Sequence, residues 1–293
     1  MQVLKENQIK DFRSYLVQLG YSKSSCYMLP DCVQDFLQQS NTTNTKELNT
    51  VHINQFYEWL QVRPNKNKAG GLSEQYINHH VYALKLFFNW QEAIGEISFN
   101  PMSVMKFKRP QGNPREPLTQ NEIKELFAGC TTEKERAILH ICYSCGLRRS
   151  EAEALNIQDI HFRKQMLYVR EGKGAKRRAV PMSARVTAEL ENYYLQERTT
   201  RILITHAKST TAFILNSRGE RMSGESYNKA FKEILSRTTI NAEVSLHHLR
   251  HSIATHLLES GLEIEKVRDF LGHGFLETTQ IYAKVNQHQL NKL

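Results

Sequence analysis

Six residues in the second half of this 293-residue chain could do chemistry together: Arg148, Lys173, His247, Arg250, His273 and Tyr282. They lie in GLRRSEAEAL (146–155), EGKGAKRR (171–178), LHHLRHSIATHLLESG (246–261) and LGHGFLETTQIYAKV (271–285). A tyrosine hydroxyl ionises near ~10 and is a poor nucleophile at neutral pH. Beside cations and a proton acceptor it becomes competent to attack a phosphodiester, because the cations offset the charge that grows on phosphorus oxygens. This set therefore points to a DNA strand-transferring enzyme.

Each residue has a plainer reading. Arg148 follows a glycine at an expected helix end and sits beside Arg149, as a surface arginine would. Glu151, three residues on, is within helical reach and could hold the Arg148 guanidinium. Lys173 belongs to a basic run: Arg163, Lys164, Arg170, Lys173, Lys176, Arg177 and Arg178 face Glu171 alone between residues 163 and 178. That run reads either as a solvated hairpin or as a turn inserted into a DNA groove. The flanking glycines permit close backbone approach. His247 and Arg250, at i and i+3 near a helix start, share a face. His248, His251 and His256 crowd the same segment and read as structural. Tyr282 is one of twelve tyrosines, and its segment lies near the chain end.

The elements that must position these residues can be read from periodicity. Ile9, Phe12, Leu16 and Leu19 mark a first helix that Gly20 stops. Cys26, Leu29, Val33, Phe36 and Leu37 mark a second, expected to be interrupted or kinked at Pro30. Ile53, Phe56, Tyr57 and Leu60 mark a third. After the turn NKNKAGG (65–71), Ser73 caps a fourth with the stripe Ile77, Val81, Leu84, Phe87 and Phe88. Residues 1–98 thus form a four-helix domain. Residues 99–117 hold four of the chain's seven prolines and carry Lys106, Lys108, Arg109 and Arg115 against Glu116 alone. This is a linker: a solvated hinge, a track along a phosphate backbone, or both. Among the four helices, Lys66, Lys68 and Lys85 are candidate DNA contacts beside a solvated-face reading.

The second domain, 118–293, opens with the capping box Thr119–Glu122. A helix over 133–145 ends at Gly146, and another starts near Ser150. Ile160 and Phe162, then Met166, Leu167 and Val169, then Ala179, Val180 and Met182 read as a small antiparallel sheet. Helices resume from 183. The fold class is mainly α with a small sheet.

The bulk numbers agree. The formal charge is +9 and the pI near 9.2, suiting a polyanionic partner. No apolar run approaches the ~20 residues that cross a bilayer. The N-terminus lacks a signal-peptide core, which predicts a cytosolic protein. Five cysteines without that signal argue against a disulfide framework. Cys142 and Cys145 form a CxxC with no second pair at metal spacing, in an apolar stretch, and read as buried thiols. GKG (172–174) lacks the strand–loop–helix frame of a phosphate loop.

The motifs GLR..E, GKG.K.R, H.LRH..ATHLL..G and LGH....TTQIY resemble, in order and spacing over about 118–285, the catalytic domain of the tyrosine recombinases, the phage-integrase family, and in particular its Xer type. The four-helix region resembles that family's core-binding domain in size and pattern. The resemblance implies the catalytic set Arg148, Lys173, His247, Arg250, His273 and Tyr282, with Glu151 in support. Tyr282 would form a 3′-phosphotyrosyl bond and a Holliday junction would follow. Lys106, Lys108, Arg109, Arg115, Lys176, Arg177 and Arg178 would contact DNA. No cofactor, metal or ATP is implied. The implied partners are double-stranded DNA with short inverted repeats and a homo-tetramer on two duplexes, with a second recombinase as an option and no membrane. Residues 286–293 would pack on a neighbouring subunit. A helical domain, a basic linker and a catalytic domain would together clamp a duplex. No arm-binding segment is expected ahead of residue 1. Two other classes stand beside this reading: a non-cutting DNA-binding regulator and a relaxing topoisomerase of the related tyrosine type. Two roles stay open for a true recombinase, chromosome-dimer resolution and movement of a mobile element.

Overall fold

A computed structural model describes residues 2–40, 42, 44–65, 69–107, 116–170, 177–205 and 210–272. Lys66, Lys68, Lys108, Arg109, Arg115, Lys173, Lys176, His273 and Tyr282 lie outside the described residues, as does the segment 286–293. The chain divides into two compact units, 1–113 and 114–293.

The first unit is built from α1 (Gln2–Gln18), α2 (Lys23–Gln39), α3 (Thr50–Val62) and α4 (Glu74–Ala93). The apolar stripes read from the sequence meet in one core: Phe12 and Leu16, then Leu29, Val33 and Phe36, then Ile53 and Phe56, then Val81, Leu84, Phe87 and Phe88. Edge-on aromatic pairs tie it together, Phe12–Phe87 at 5.4 Å and Phe36–Phe56 at 5.2 Å between ring centroids. Each such ring contributes roughly 1.5–3 kcal/mol by leaving water. Ser73 caps α4, its hydroxyl accepting from the Tyr76 N–H at 3.2 Å.

Three expectations change. Helix α2 runs without interruption through Pro30. Proline has no N–H to offer the carbonyl four residues back. That carbonyl, of Cys26, instead accepts from Arg13 Nε at 3.2 Å. Leu19 lies past the end of α1 and is exposed, so the buried stripe ends at Leu16. The segment read as a linker begins inside this unit: Met102 is buried in the core, and the Phe107 ring stands edge-on to Tyr57 at 5.2 Å. Lys85 Nζ lies 5.8 Å from the Phe107 ring centroid.

The second unit comprises α5 (Gln120–Ala128), α6 (Glu133–Leu139), α7 (Arg149–Ala154), a three-stranded sheet, α8 (Ala184–Tyr193), α9 (Thr199–Thr205), α10 (Gly224–Leu235), α11 (Leu246–Glu259) and α12 (Ile264–Leu271). The Thr119–Glu122 capping box is formed, with the Thr119 N–H donating to Glu122 Oε2 at 2.7 Å. Helix α6 passes into one wider turn over His140–Ser144, closed by Cys145 N–H to His140 O at 2.8 Å. Gly146 then takes φ +60°. A Cβ there would lie 3.0 Å from Leu271 Cδ2, so both the left-handed backbone and the close approach require glycine.

The sheet runs in the order β1 (Ile160–His161), β2 (Met166–Val169), β3 (Arg178–Pro181), all antiparallel. Its register pairs Leu167 with Val180 and Val169 with Arg178. Leu167, Val169 and Val180 face the core, while Tyr168 and Ala179 face outward.

Candidate active site

The site is organised around one carboxylate. Glu151 lies in the first turn of α7, and its side chain is 1% exposed. Arg148, at the N-cap of the same helix, donates to it twice: from Nη1 to Oε1 at 2.7 Å and from the backbone N–H to Oε2 at 2.9 Å. Arg178, at the start of β3, donates from Nη1 to Oε1 at 3.1 Å and from Nη2 to Oε2 at 2.8 Å. Arg250, from α11, brings Nη1 to 3.8 Å from Oε2. Burial alone would push the Glu151 carboxyl up, but the Arg178 bonds and charge, with those of Arg148, outweigh it and hold it at about 2.

The wide turn after α6 and the αL residue Gly146 bring the chain round so that Arg148 opens α7. Arg250 donates from Nη1 to the Gly146 carbonyl and from Nη2 to the Leu271 carbonyl. It therefore ties that turn to the end of α12. Arg250 is almost wholly buried, whereas the Arg148 side chain stays 23% exposed. Among the described residues three guanidinium groups surround this one carboxylate, and Arg148 is the member most open to solvent.

The structure thus brings together Arg148, Glu151 and Arg250 of the expected set. His247, one turn ahead of Arg250, is exposed at the start of α11. His248 caps that helix, its Nδ1 lying 3.0 Å from the Ser245 N–H that donates to it. His256 Nδ1 meets the Tyr143 hydroxyl at 2.9 Å. His248 and His256 therefore have structural partners, as the sequence suggested.

Arg178 also joins the cluster. It was grouped with the DNA-contacting cations, yet its side chain is only 6% exposed and is spent on Glu151 and on the Phe270 carbonyl, which accepts from Nε at 2.9 Å. The cause is register: Arg178 shares the inward face of β3 with Val180. The signal was in the sequence, since Arg178, Val180 and Met182 alternate with Arg177, Ala179 and Pro181. Counting charge hid it. Arg170, at the other foot of the same hairpin, pairs with the buried carboxylate of Asp159. Arg177 and Lys106 are exposed.

Cys142 and Cys145 are free, buried thiols, and burial pushes both up to about 12. Neither is a thiolate at neutral pH. Among the described residues no group of three or more His, Cys, Asp or Glu side chains could hold a metal ion.

Residues 116–289 match the phage integrase family. That stretch spans more than half of the chain and contains every element of the arginine cluster. The chain belongs to the phage integrase family. Curated relatives agree. Tyrosine recombinase XerA of Pyrococcus furiosus is 32% identical over 99% of this chain and 93% of its own. Tyrosine recombinase XerC of Oceanobacillus iheyensis is 33% identical over 75% of this chain and 73% of its own. The fold is shared with the Tn1549 transposon integrase, solved with transposon right-end DNA: TM-score 0.75 at 16% identity, over 98% of this chain and 99% of that one. This phage integrase family member is a site-specific tyrosine recombinase, and neither the regulator nor the topoisomerase is favoured. Its partner is DNA. Among the described residues no helix is long and apolar enough to cross a membrane.

Proposed function

We propose that this recombinase cuts and rejoins DNA through a 3′-phosphotyrosyl intermediate and a Holliday junction, with Arg148, Lys173, His247, Arg250, His273 and Tyr282 as the reacting set and Glu151 behind them. One observation carries the reading. Arg148 and Arg250, far apart in the chain, converge on the buried Glu151 carboxylate, with the Arg148 guanidinium partly open to solvent.

The guanidinium charge suits the non-bridging oxygens of a scissile phosphate, where it offsets the negative charge of the transition state. The Tyr282 hydroxyl attacks phosphorus, a phosphotyrosyl ester forms, and the bond to the 5′-oxygen breaks. Lys173 gives that oxygen its proton, His247 takes part in proton transfer, and His273 hydrogen-bonds the phosphate. A 5′-hydroxyl of the partner duplex then attacks the phosphotyrosine and releases Tyr282. One phosphodiester replaces another, so the exchange is close to isoenergetic and needs neither ATP nor a metal.

In this reading residues 1–98 are the core-binding domain on DNA, and 118–293 the catalytic domain. Lys106, Lys108, Arg109 and Arg115 of the linker follow the phosphate backbone, as do Lys176 and Arg177 of the hairpin. The chain acts in the cytoplasm as a homo-tetramer on two duplexes with short inverted repeats, alone or with a second recombinase. It serves either chromosome-dimer resolution or integration and excision of a mobile element. With roughly 6–10 phosphate contacts, affinity falls by about 10³–10⁵ between ~50 and ~200 mM salt.

The test uses nicked duplexes built from DNA flanking the native gene. The wild type gives a denaturant-resistant protein–DNA band and Tyr282→Phe gives none while still binding. A band with Tyr282→Phe removes the nucleophile assignment. Tight binding with no band from the wild type on any flanking duplex contradicts the cleavage reading.

A further inference from the structure

We infer that Arg178 is a positioning residue for strand cleavage: it fixes Glu151 and the end of α12 in one arrangement, so that Arg148 and Arg250 engage the scissile phosphate together. The inference rests on the cleavage reading above.

The geometry is specific to a guanidinium. One fork of Arg178 spans both Glu151 oxygens, at 3.1 and 2.8 Å, and the remaining Nε–H reaches the Phe270 carbonyl at 2.9 Å. Arg250, also beside Glu151, donates to the next carbonyl along, Leu271. Two arginines joined through one carboxylate therefore cap successive carbonyls in the last turn of α12. An α-helix leaves those carbonyls without internal partners. The chain then turns at Gly272 (φ +64°), where a Cβ would come within 2.9 Å of Arg178 Cδ. Arg178 is thus packed as closely as it is bonded. Its backbone pairs with Val169 across the hairpin. No second rotamer is needed to link the sheet, α7 and the end of α12, because a single side chain already touches all three. Lysine has one compact donor head and cannot span a carboxylate while also reaching a third acceptor.

Three roles for Arg178 separate in experiment: a DNA contact, a proton donor to the leaving oxygen, and a positioning residue. Arg178→Gln and Arg178→Lys are compared with the wild type in single-turnover cleavage of a nicked duplex at saturating protein. Positioning predicts a cleavage rate constant lower by roughly 10²-fold in both variants, with the final amplitude of adduct retained. DNA affinity and its salt slope stay at the wild-type values. A 5′-bridging phosphorothiolate, whose leaving group needs no proton, does not restore the rate. A methylphosphonate at the scissile position carries less charge for the arginines to offset, and there the gap between wild type and variant narrows. Adding Arg178→Gln to Glu151→Gln lowers the rate far less than Arg178→Gln does alone, because the two act through one another.

Weaker binding with a salt slope reduced by about 0.9 would make Arg178 a phosphate contact. Rescue by the phosphorothiolate would move it to the leaving group. A lost amplitude with an unchanged rate constant would reduce it to a stability role. Any of these overturns the inference while the wild-type adduct stands. Absence of the adduct from the wild type itself would instead fail the cleavage reading.

Discussion

Each unit of the molecule sets a carboxylate among cations, and the two clusters are built differently. In the first unit Asp35 meets Arg63 at 3.1 Å and the fully buried His80 at 3.5 Å. Arg63 Cζ itself lies over the Trp59 ring, 4.7 Å from its centroid. Here a guanidinium and an imidazole lie beside one partly exposed carboxylate. In the second unit three guanidinium groups answer one carboxylate, and one of them opens to solvent. A buried ion pair is by itself weak evidence of anything beyond packing. Three guanidinium groups gathered at one carboxylate suit the anion that the proposed reaction brings there.

The comparison can be broken by removing an arginine from each cluster. Arg250→Ala should lower the single-turnover cleavage rate by about 10²–10³-fold, the usual cost of deleting one charge-stabilising donor. Arg63→Ala should instead cost roughly 1.5–3 kcal/mol of stability, by removing the charged hydrogen bond to Asp35, with its folded fraction cutting at the wild-type rate. Cleavage kinetics and denaturant unfolding of both variants check the pair. Equal kinetic losses would mean that the gathering of three arginines does not distinguish the two clusters.

The Glu151 cluster also predicts a pH dependence. Its carboxyl is depressed from 4.5 to about 2 in the folded protein. A group with a lowered folded pKa stabilises fully above its unfolded value and loses that contribution as pH falls toward the folded one. Linkage puts this at about 3 kcal/mol, present above pH ~4.5 and lost between ~4.5 and ~2. Unfolding measured across pH 2–7 should show that slope in the wild type and not in Glu151→Gln. A smaller effect is expected of Gly272→Ala: roughly 1–2 kcal/mol for the left-handed backbone, with a partial loss of cleavage as Arg178 is displaced. Unaltered cleavage in that variant would mean that Arg178 tolerates movement.

Much of this was legible in the chain. The core of the first unit follows from i, i+3, i+4 spacing, because amphipathic helices with Phe at those positions have one way to bury them. Glu151 was found as the partner of Arg148 because the pair is local. What could not be read depends on contacts between distant segments. Pro30 sits inside a helix because Arg13, on another helix, supplies the donor that proline lacks. Met102 is core despite its proline-rich surroundings, because the first unit extends past its fourth helix to cover it. Arg178 was counted among surface charges because its acceptors, Glu151 and Phe270, lie on other elements. The alternation along β3 hinted at it, but seven cations in one run outweighed that hint.

The most direct test of the arginine-cluster account is a structure of Tyr282→Phe bound to the nicked duplex that the wild type cleaves. The account predicts guanidinium nitrogens of Arg148 and Arg250 within about 2.7–2.9 Å of the scissile phosphate oxygens, with Glu151 still behind them. A scissile phosphate seated elsewhere, with the cluster unchanged and unoccupied by DNA, would contradict it.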